Sequence, residues 1–364
     1  MRRATRLDNG TKTAPAAESR PARSRSLNPI VWPLLALAVI LLFNLIFTHG
    51  FFSITVKGGH LFGSLIDILK RAAPTMIIAL GMTLVIATGG IDISVGSVAA
   101  IAGSMAALMV RGANIAYLEE TAYATTPLLP VFAFALLAAA ACGLFNGTLV
   151  SFVGIQPIVA TLILMITGRG VAVLITGGYV LNFNHPRFEY VGIGYLFGLP
   201  FPFIMAAGVF VVLFLLTRLI PLGLFIQATG GNSVASFYSG LNTRVVKLLV
   251  YLISGLCAGV AGIIMTSDVK AADANYMGLW LELDAILAVV IGGTAMTGGR
   301  YSLWGTIIGA LIIQSLTTTI LTRGVQVQYT LIVKAVVVIF VILIQSERTR
   351  DLLQRTRRKI PASG

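Results

Sequence analysis

Asp92, Ser94 and Ser97 form a short polar island between two apolar runs, in the stretch Gly89-Gly-Ile-Asp-Ile-Ser-Val-Gly-Ser97. A carboxylate with two hydroxyls at that spacing can accept and donate hydrogen bonds to a polar cargo. It can equally close a tight helix-to-helix turn capped by glycine and serine. Irregular backbone at membrane depth persists only where protein buries it or where it lines a wet cavity. Both readings therefore stand, a turn and a pathway-lining break. Arg169, in Thr167-Gly-Arg-Gly170, is a second candidate, because it falls inside an apolar run. An intramembrane charge is costly and is paired or functional. Arg169 either donates hydrogen bonds into a translocation path or is held by an acid such as Asp92 or Asp284, or by backbone carbonyls.

A third candidate is the polar segment 221–246. A short helix from about Asn232 to Tyr238 is expected, with Asn232 as N-cap and Gly240 ending it. It would present Phe237 and Tyr238 on a polar surface. Such aromatics can dock a partner or anchor the helix in lipid.

The elements that must position these residues are membrane helices. Apolar residues make up 57% of the 364-residue chain and charged residues 11%, against roughly 45–50% and 25% in soluble domains. Mean hydropathy is +0.92. The net charge of +13 does not point to nucleic acid, because half of the 26 Lys and Arg lie in residues 1–25 and 348–359. Basic tails follow the positive-inside rule for cytoplasmic termini. Arg218, Arg244, Lys247 and Arg300 join them on the expected inner side; Lys70 and Arg71 go against the rule.

The expected fold is all-α, one polytopic helical bundle of about ten transmembrane helices. Spans are expected at Val31–Thr48, Ala72–Thr88, Val95–Val110, Pro127–Phe152, Ile158–Ile175 and Pro202–Leu219. Further spans are expected at Val245–Met265, Leu281–Met296, Leu303–Leu321 and Tyr329–Ile344. Residues 1–28 read as a disordered basic cytoplasmic tail, 29–346 as the membrane domain and 347–364 as a second basic tail. Residues 49–71 read as an interfacial amphipathic segment leading into a helix, and 178–200 as a structured external loop. Glu119, Glu120, Glu189, Asp268 and Asp273 fall in outer loops. Glu282 and Asp284, two apart, face different sides of their helix and mark an outer mouth. Lys334 is expected to snorkel to the interface. A weak internal echo links Gly89-Gly90 with Gly292-Gly293 and Gly298-Gly299.

Cys142 and Cys257 both lie in apolar runs and read as small hydrophobes. No metal-ligand spacing occurs. The chain contains no phosphate-binding Gly-x-x-x-x-Gly-Lys-Ser/Thr loop and neither Gly-x-Ser-x-Gly nor His-Glu-x-x-His. Any ATP-driven work must therefore be done by another chain.

A set of motifs resembles the ribose-type (monosaccharide) ABC importer permeases over about residues 60–345. They include Gly81-Met-Thr-Leu-Val-Ile, Gly90-Ile-Asp-Ile-Ser-Val-Gly-Ser, Asn146-Gly, Gln156-Pro-Ile-Val-Ala-Thr-Leu and Thr167-Gly-Arg-Gly. Ser239-Gly-Leu-Asn, Tyr251-Leu-Ile-Ser-Gly-Leu, Ala272-Asp-Ala-Asn, Leu281-Glu-Leu-Asp-Ala-Ile-Leu-Ala-Val-Val-Ile-Gly-Gly and Gly298-Gly complete the set. Leu61-Phe-Gly-Ser-Leu-Ile-Asp-Ile-Leu and Gly278-Leu-Trp-Leu-Glu-Leu-Asp resemble the galactofuranose-importer branch. The resemblance implies a multi-pass protein of the bacterial inner membrane that moves a monosaccharide by alternating access. It implies no cofactor in this chain, with ATP bound by a separate cytoplasmic ATPase. It also implies a second permease subunit and a periplasmic sugar-binding protein. It places the ATPase-coupling loop at Gly230, Gly231, Asn232, Ala235, Phe237, Tyr238, Ser239, Gly240 and Asn242. Ser236-Phe237-Tyr238 depart from the small or charged residues that the family carries after Ala235. From the residues alone, an ion-coupled secondary transporter using Asp92, Arg169 or Asp284 stays open. So does an ABC permease for a nucleoside or other small solute.

Overall fold

The computed structural model describes residues 30–111, 126–326 and 329–336, together with Ile339. Both basic tails, the rest of the last expected span, Glu119 and Glu120 lie outside the described residues. Helix α1, Val31–Phe47, leads to a hairpin of β1, Thr55–Lys57, and β2, His60–Phe62. Helices α2, Ser64–Ala87, and α3, Val95–Arg111, follow. Then come α4, Leu128–Thr148, whose end passes into a π turn at Leu149–Val153, and α5, Pro157–Thr176. The loop after α5 is built from β3, Leu181–Asn182, the short helix α6, Pro186–Ile193, and a tight hairpin of β4, Tyr195–Leu196, and β5, Leu199–Pro200. Helices α7, Phe201–Leu219, α8, Leu222–Gly231, α9, Ser233–Tyr238, and α10, Thr243–Val269, come next. Strand β6, Ala271–Ala272, pairs with β3; α11, Leu281–Ile291, and α12, Leu303–Thr322, complete the series. Residues 329–336 are helical.

The chain is a membrane bundle. Six of these helices, α2, α4 with its π turn, α5, α7, α10 and α12, are long and apolar enough to cross a bilayer, and α1 and α3 are shorter apolar helices. The centre is set by burial: 78% of the spanning window of α2 is buried and 61% of that of α10, against 22% for α4 and α7. Lipid tails give apolar side chains no reason to hide, so close helix contact depends on small residues. Helices α4 and α10 show this: a β-carbon on Gly143 would stand 2.6 Å from Tyr251 O, and one on Gly255 2.6 Å from Ala139 O.

Three expectations are corrected. Residues 49–71 do lead into a helix, α2, which starts at Ser64, but the part before it folds as the β1–β2 hairpin and not as an amphipathic segment. The charges Asp67, Lys70 and Arg71 masked that start. Lys70 pairs with Asp268, at the end of α10, at 2.6 Å. Asp268 offsets the Lys70 charge locally. Helix α11 is shorter than expected because it stops at Gly292-Gly293, where Gly293 has a φ of +85°. Lys334 does not snorkel alone; its Nζ lies 2.9 Å from Asp284 Oδ2 and ties residues 329–336 to α11. The loop 178–200 is structured as expected, and its Glu189 pairs with Lys270 at 2.6 Å.

Candidate functional site

Helix α2 ends at Ala87, and Gly89, with φ +80°, turns the chain into an irregular stretch before α3. Asp92 and Ser94 in that stretch are buried, as is Ser97 in the first turn of α3. Asp92 Oδ1 accepts the Ser94 N–H at 3.0 Å and the Ser94 hydroxyl at 2.6 Å; Oδ2 accepts the Ser254 hydroxyl of α10 at 2.9 Å. Ser94 Oγ in turn accepts Asn146 Nδ2 of α4 at 2.8 Å. Ser97 donates to Met165 O of α5 at 2.6 Å, and Thr161 Oγ1 of α5 lies 3.3 Å from both Ile91 O and Ile93 N. One polar island thus fastens the start of α3 to three other helices. Three donors satisfy this buried carboxyl group, as buried polar groups require. This break is buried by protein, one of the two settings that irregular backbone needs at membrane depth.

A second break meets the first. Residues 273–280 turn, Trp280 has a φ of +66°, and α11 begins at Leu281. A β-carbon on Gly278 would stand 2.6 Å from Gly96 O, so the starts of α3 and α11 touch backbone to backbone. Glu282, only 4% exposed, points its carboxylate at Gly96, while Asp284 turns to Lys334. The two acids face different sides, as their spacing predicts. Arg169 reaches this second break: its Nη1 donates to Ala274 O at 2.9 Å and to Met277 O at 2.5 Å. Of the partners open to it in sequence, the backbone carbonyls are the ones it holds. Asp92 and Arg169 do not pair. Sequence reasoning placed Glu282 at a mouth and missed its contact with Gly96, which lies far away in the chain.

The polar segment folds as its caps predict. Asn232 Oδ1 accepts the Ala235 N–H at 2.9 Å and opens α9; Gly240, with φ +87°, closes it; Asn242 Oδ1 accepts the Val245 N–H at 3.3 Å and opens α10. Ser239 returns its hydroxyl to Ala235 O at 2.9 Å. Phe237 is 60% exposed and Tyr238 83%. Gly230 and Gly231 end α8 against the loops that carry the two glycine breaks: Gly299 N–H donates to Ala87 O at 2.9 Å. The echoing segments therefore meet in space.

Residues 64–342 match a family model described as the permease component of a branched-chain amino acid transport system. The chain belongs to this permease family. The permease is 48% identical over 332 residues to the galactofuranose transporter permease of Escherichia coli strain K12, covering 90% of this chain and 94% of that one. It is 37% identical over 337 residues to the fructose import permease of Bifidobacterium longum, covering 91% of each. It is also 37% identical over 319 residues to the ribose import permease of Escherichia coli strain K12, covering 86% of this chain and 93% of that one. No solved structure matches the permease.

Proposed function

We propose that this permease is the membrane-spanning subunit of an ATP-driven importer for a monosaccharide in the bacterial inner membrane. The observation that carries the reading is the 48% identity to a galactofuranose permease across 90% of the chain. Galactofuranose is the favoured cargo within the class. The permease holds no cofactor of its own; a cytoplasmic ATPase binds the ATP and seats on α9. Exposed Phe237 and Tyr238 beside Val234, 64% exposed, give that seat an apolar face. A second permease copy or a related subunit completes the pathway, and a periplasmic sugar-binding protein delivers the cargo.

Asp92, Ser94, Ser97 and Arg169 stand beside the two broken helices and are assigned to the translocation path. In the present conformation their hydrogen bonds go to Ser254, Asn146 and the carbonyls of residues 165, 274 and 277. Transport by alternating access would exchange some of these bonds for sugar hydroxyls. A ligand shifts such an equilibrium only through contacts that differ between the two states. The test is competitive uptake in cells carrying the whole importer. Excess galactofuranose should suppress uptake of labelled sugar, while leucine and a nucleoside should not. Suppression by leucine and not by any sugar would overturn the cargo class.

A further inference from the structure

Helix α8 ends on a bond between two other elements. Gly299 N–H donates to Ala87 O at 2.9 Å, which joins the loop before α12 to the last residue of α2. Gly230, in the last turn of α8, lies flat on that bond. A β-carbon there would overlap Ala87 O and stand 2.6 Å from Gly299 N. From the other side, a β-carbon on Gly298 would stand 2.9 Å from Gly230 O and 3.0 Å from Gly89 N. Every obstruction is backbone, so no side-chain rotation relieves it. Gly231 differs from its neighbour, since a β-carbon there meets nothing within 4 Å. The start of α8 is packed as closely, because a β-carbon on Gly223 would overlap Thr217 O.

We infer that the backbone contact of Gly230 with Ala87 and Gly299 is the joint through which α9 moves α2 and the α11–α12 loop, with Gly230 as its positioning residue. The inference rests on the reading of α9 as the ATPase seat. Asn232 alone separates α8 from α9, so a displacement of α9 reaches Gly230 across just Gly231 and Asn232. Close-packed interiors transmit strain instead of absorbing it. A contact with no side chain has no rotamer to give way. Helix α2 then leads from Ala87 directly into the break that holds Asp92. Motion at α9 therefore arrives at the buried carboxylate and its bond to α10. A physical account of coupling needs an element whose two states both sites bias, and the α2–α3 break is that element.

The test uses the complete importer, reconstituted with its ATPase and binding protein, and compares Gly230→Ala with Gly208→Ala. Gly208, in α7, has nothing within 4 Å of a β-carbon. Both substitutions favour a helix by propensity, so a difference between them comes from the contact. The Gly230→Ala complex should assemble and hydrolyse ATP, yet lose stimulation by the loaded binding protein. Its uptake per assembled complex should fall at least tenfold, while Gly208→Ala stays within twofold. Undiminished uptake per complex in Gly230→Ala overturns the joint. Should that variant fail to assemble, hydrogen exchange on the unmodified complex decides. The Gly299 amide should stay protected both with and without ATP, and its exposure in either state overturns the joint. Failure of the docking reading looks different, since Phe237 and Tyr238 variants would then assemble normally.

Discussion

Asp92 and Ser254, 162 residues apart, share a buried hydrogen bond of 2.9 Å that fastens the break after α2 to the middle of α10. A typical intramolecular hydrogen bond contributes about 0.5–1.5 kcal/mol net. Ser254→Ala should therefore lower the thermal stability of the purified permease by that order and reduce uptake. Asp92→Ala should do more, because it strands the Ser94 and Ser254 donors in a buried site. Thermal unfolding in detergent measures both. An unchanged midpoint for Ser254→Ala would show that the bond contributes nothing.

Arg169 holds two carbonyls of the turn that places α11. Arg169→Ala leaves both without this donor and frees the Gly278–Gly96 contact from its support. Uptake should fall about tenfold or more, equivalent to about 1.4 kcal/mol, while the ATPase still co-purifies. Arg169→Lys should recover only part, since one nitrogen, Nη1, holds both carbonyls and the lysine nitrogen sits one bond nearer the backbone. Uptake assays beside a co-purification blot separate these outcomes; full uptake in Arg169→Ala removes Arg169 from the mechanism.

The Lys334–Asp284 pair is mostly shielded, with side chains 12% and 24% exposed. A double-mutant cycle over Lys334→Ala and Asp284→Ala should give a coupling on the order of 1 kcal/mol. The Lys270–Glu189 pair, whose lysine is 49% exposed, should give less because solvent screens it. Equal couplings would mean that the burial difference has no energetic weight.

Phe237 and Tyr238 bury little within this chain, so Phe237→Ser with Tyr238→Ser should leave the permease folded. The pair should still abolish recovery of the ATPase with a tagged permease. Recovery at the normal ratio would leave the aromatics as lipid anchors.

The fold class was legible because apolar runs in a membrane protein are long and weakly interrupted. Helix α9 was legible to the residue because Asn232, Gly240 and Asn242 act on backbone within a few positions. The polar island at Asp92 was legible as a cluster, and Glu282 and Asp284 as residues on different faces. What failed was long-range pairing. The start of α2 was hidden by Lys70, whose charge is matched by Asp268 nearly two hundred positions on. Lys334 looked solitary because Asp284 is far away in the chain. Backbone carbonyls were among the partners expected for Arg169, but which carbonyls leaves no mark in side-chain identity. The Gly230 contact was unreadable for a related reason: a glycine in sequence does not say which backbone lies against it.

The proposed function has this permease move a sugar with energy from a separate ATPase. Proteoliposomes holding the permease, its ATPase and the loaded binding protein test it most directly, by uptake of labelled sugar with ATP supplied on the ATPase side. Uptake should need ATP, stop with vanadate and be indifferent to an ionophore. Uptake by the permease alone, without ATP and collapsed by an ionophore, would contradict it and return Asp92 and Arg169 to the role of coupling charges.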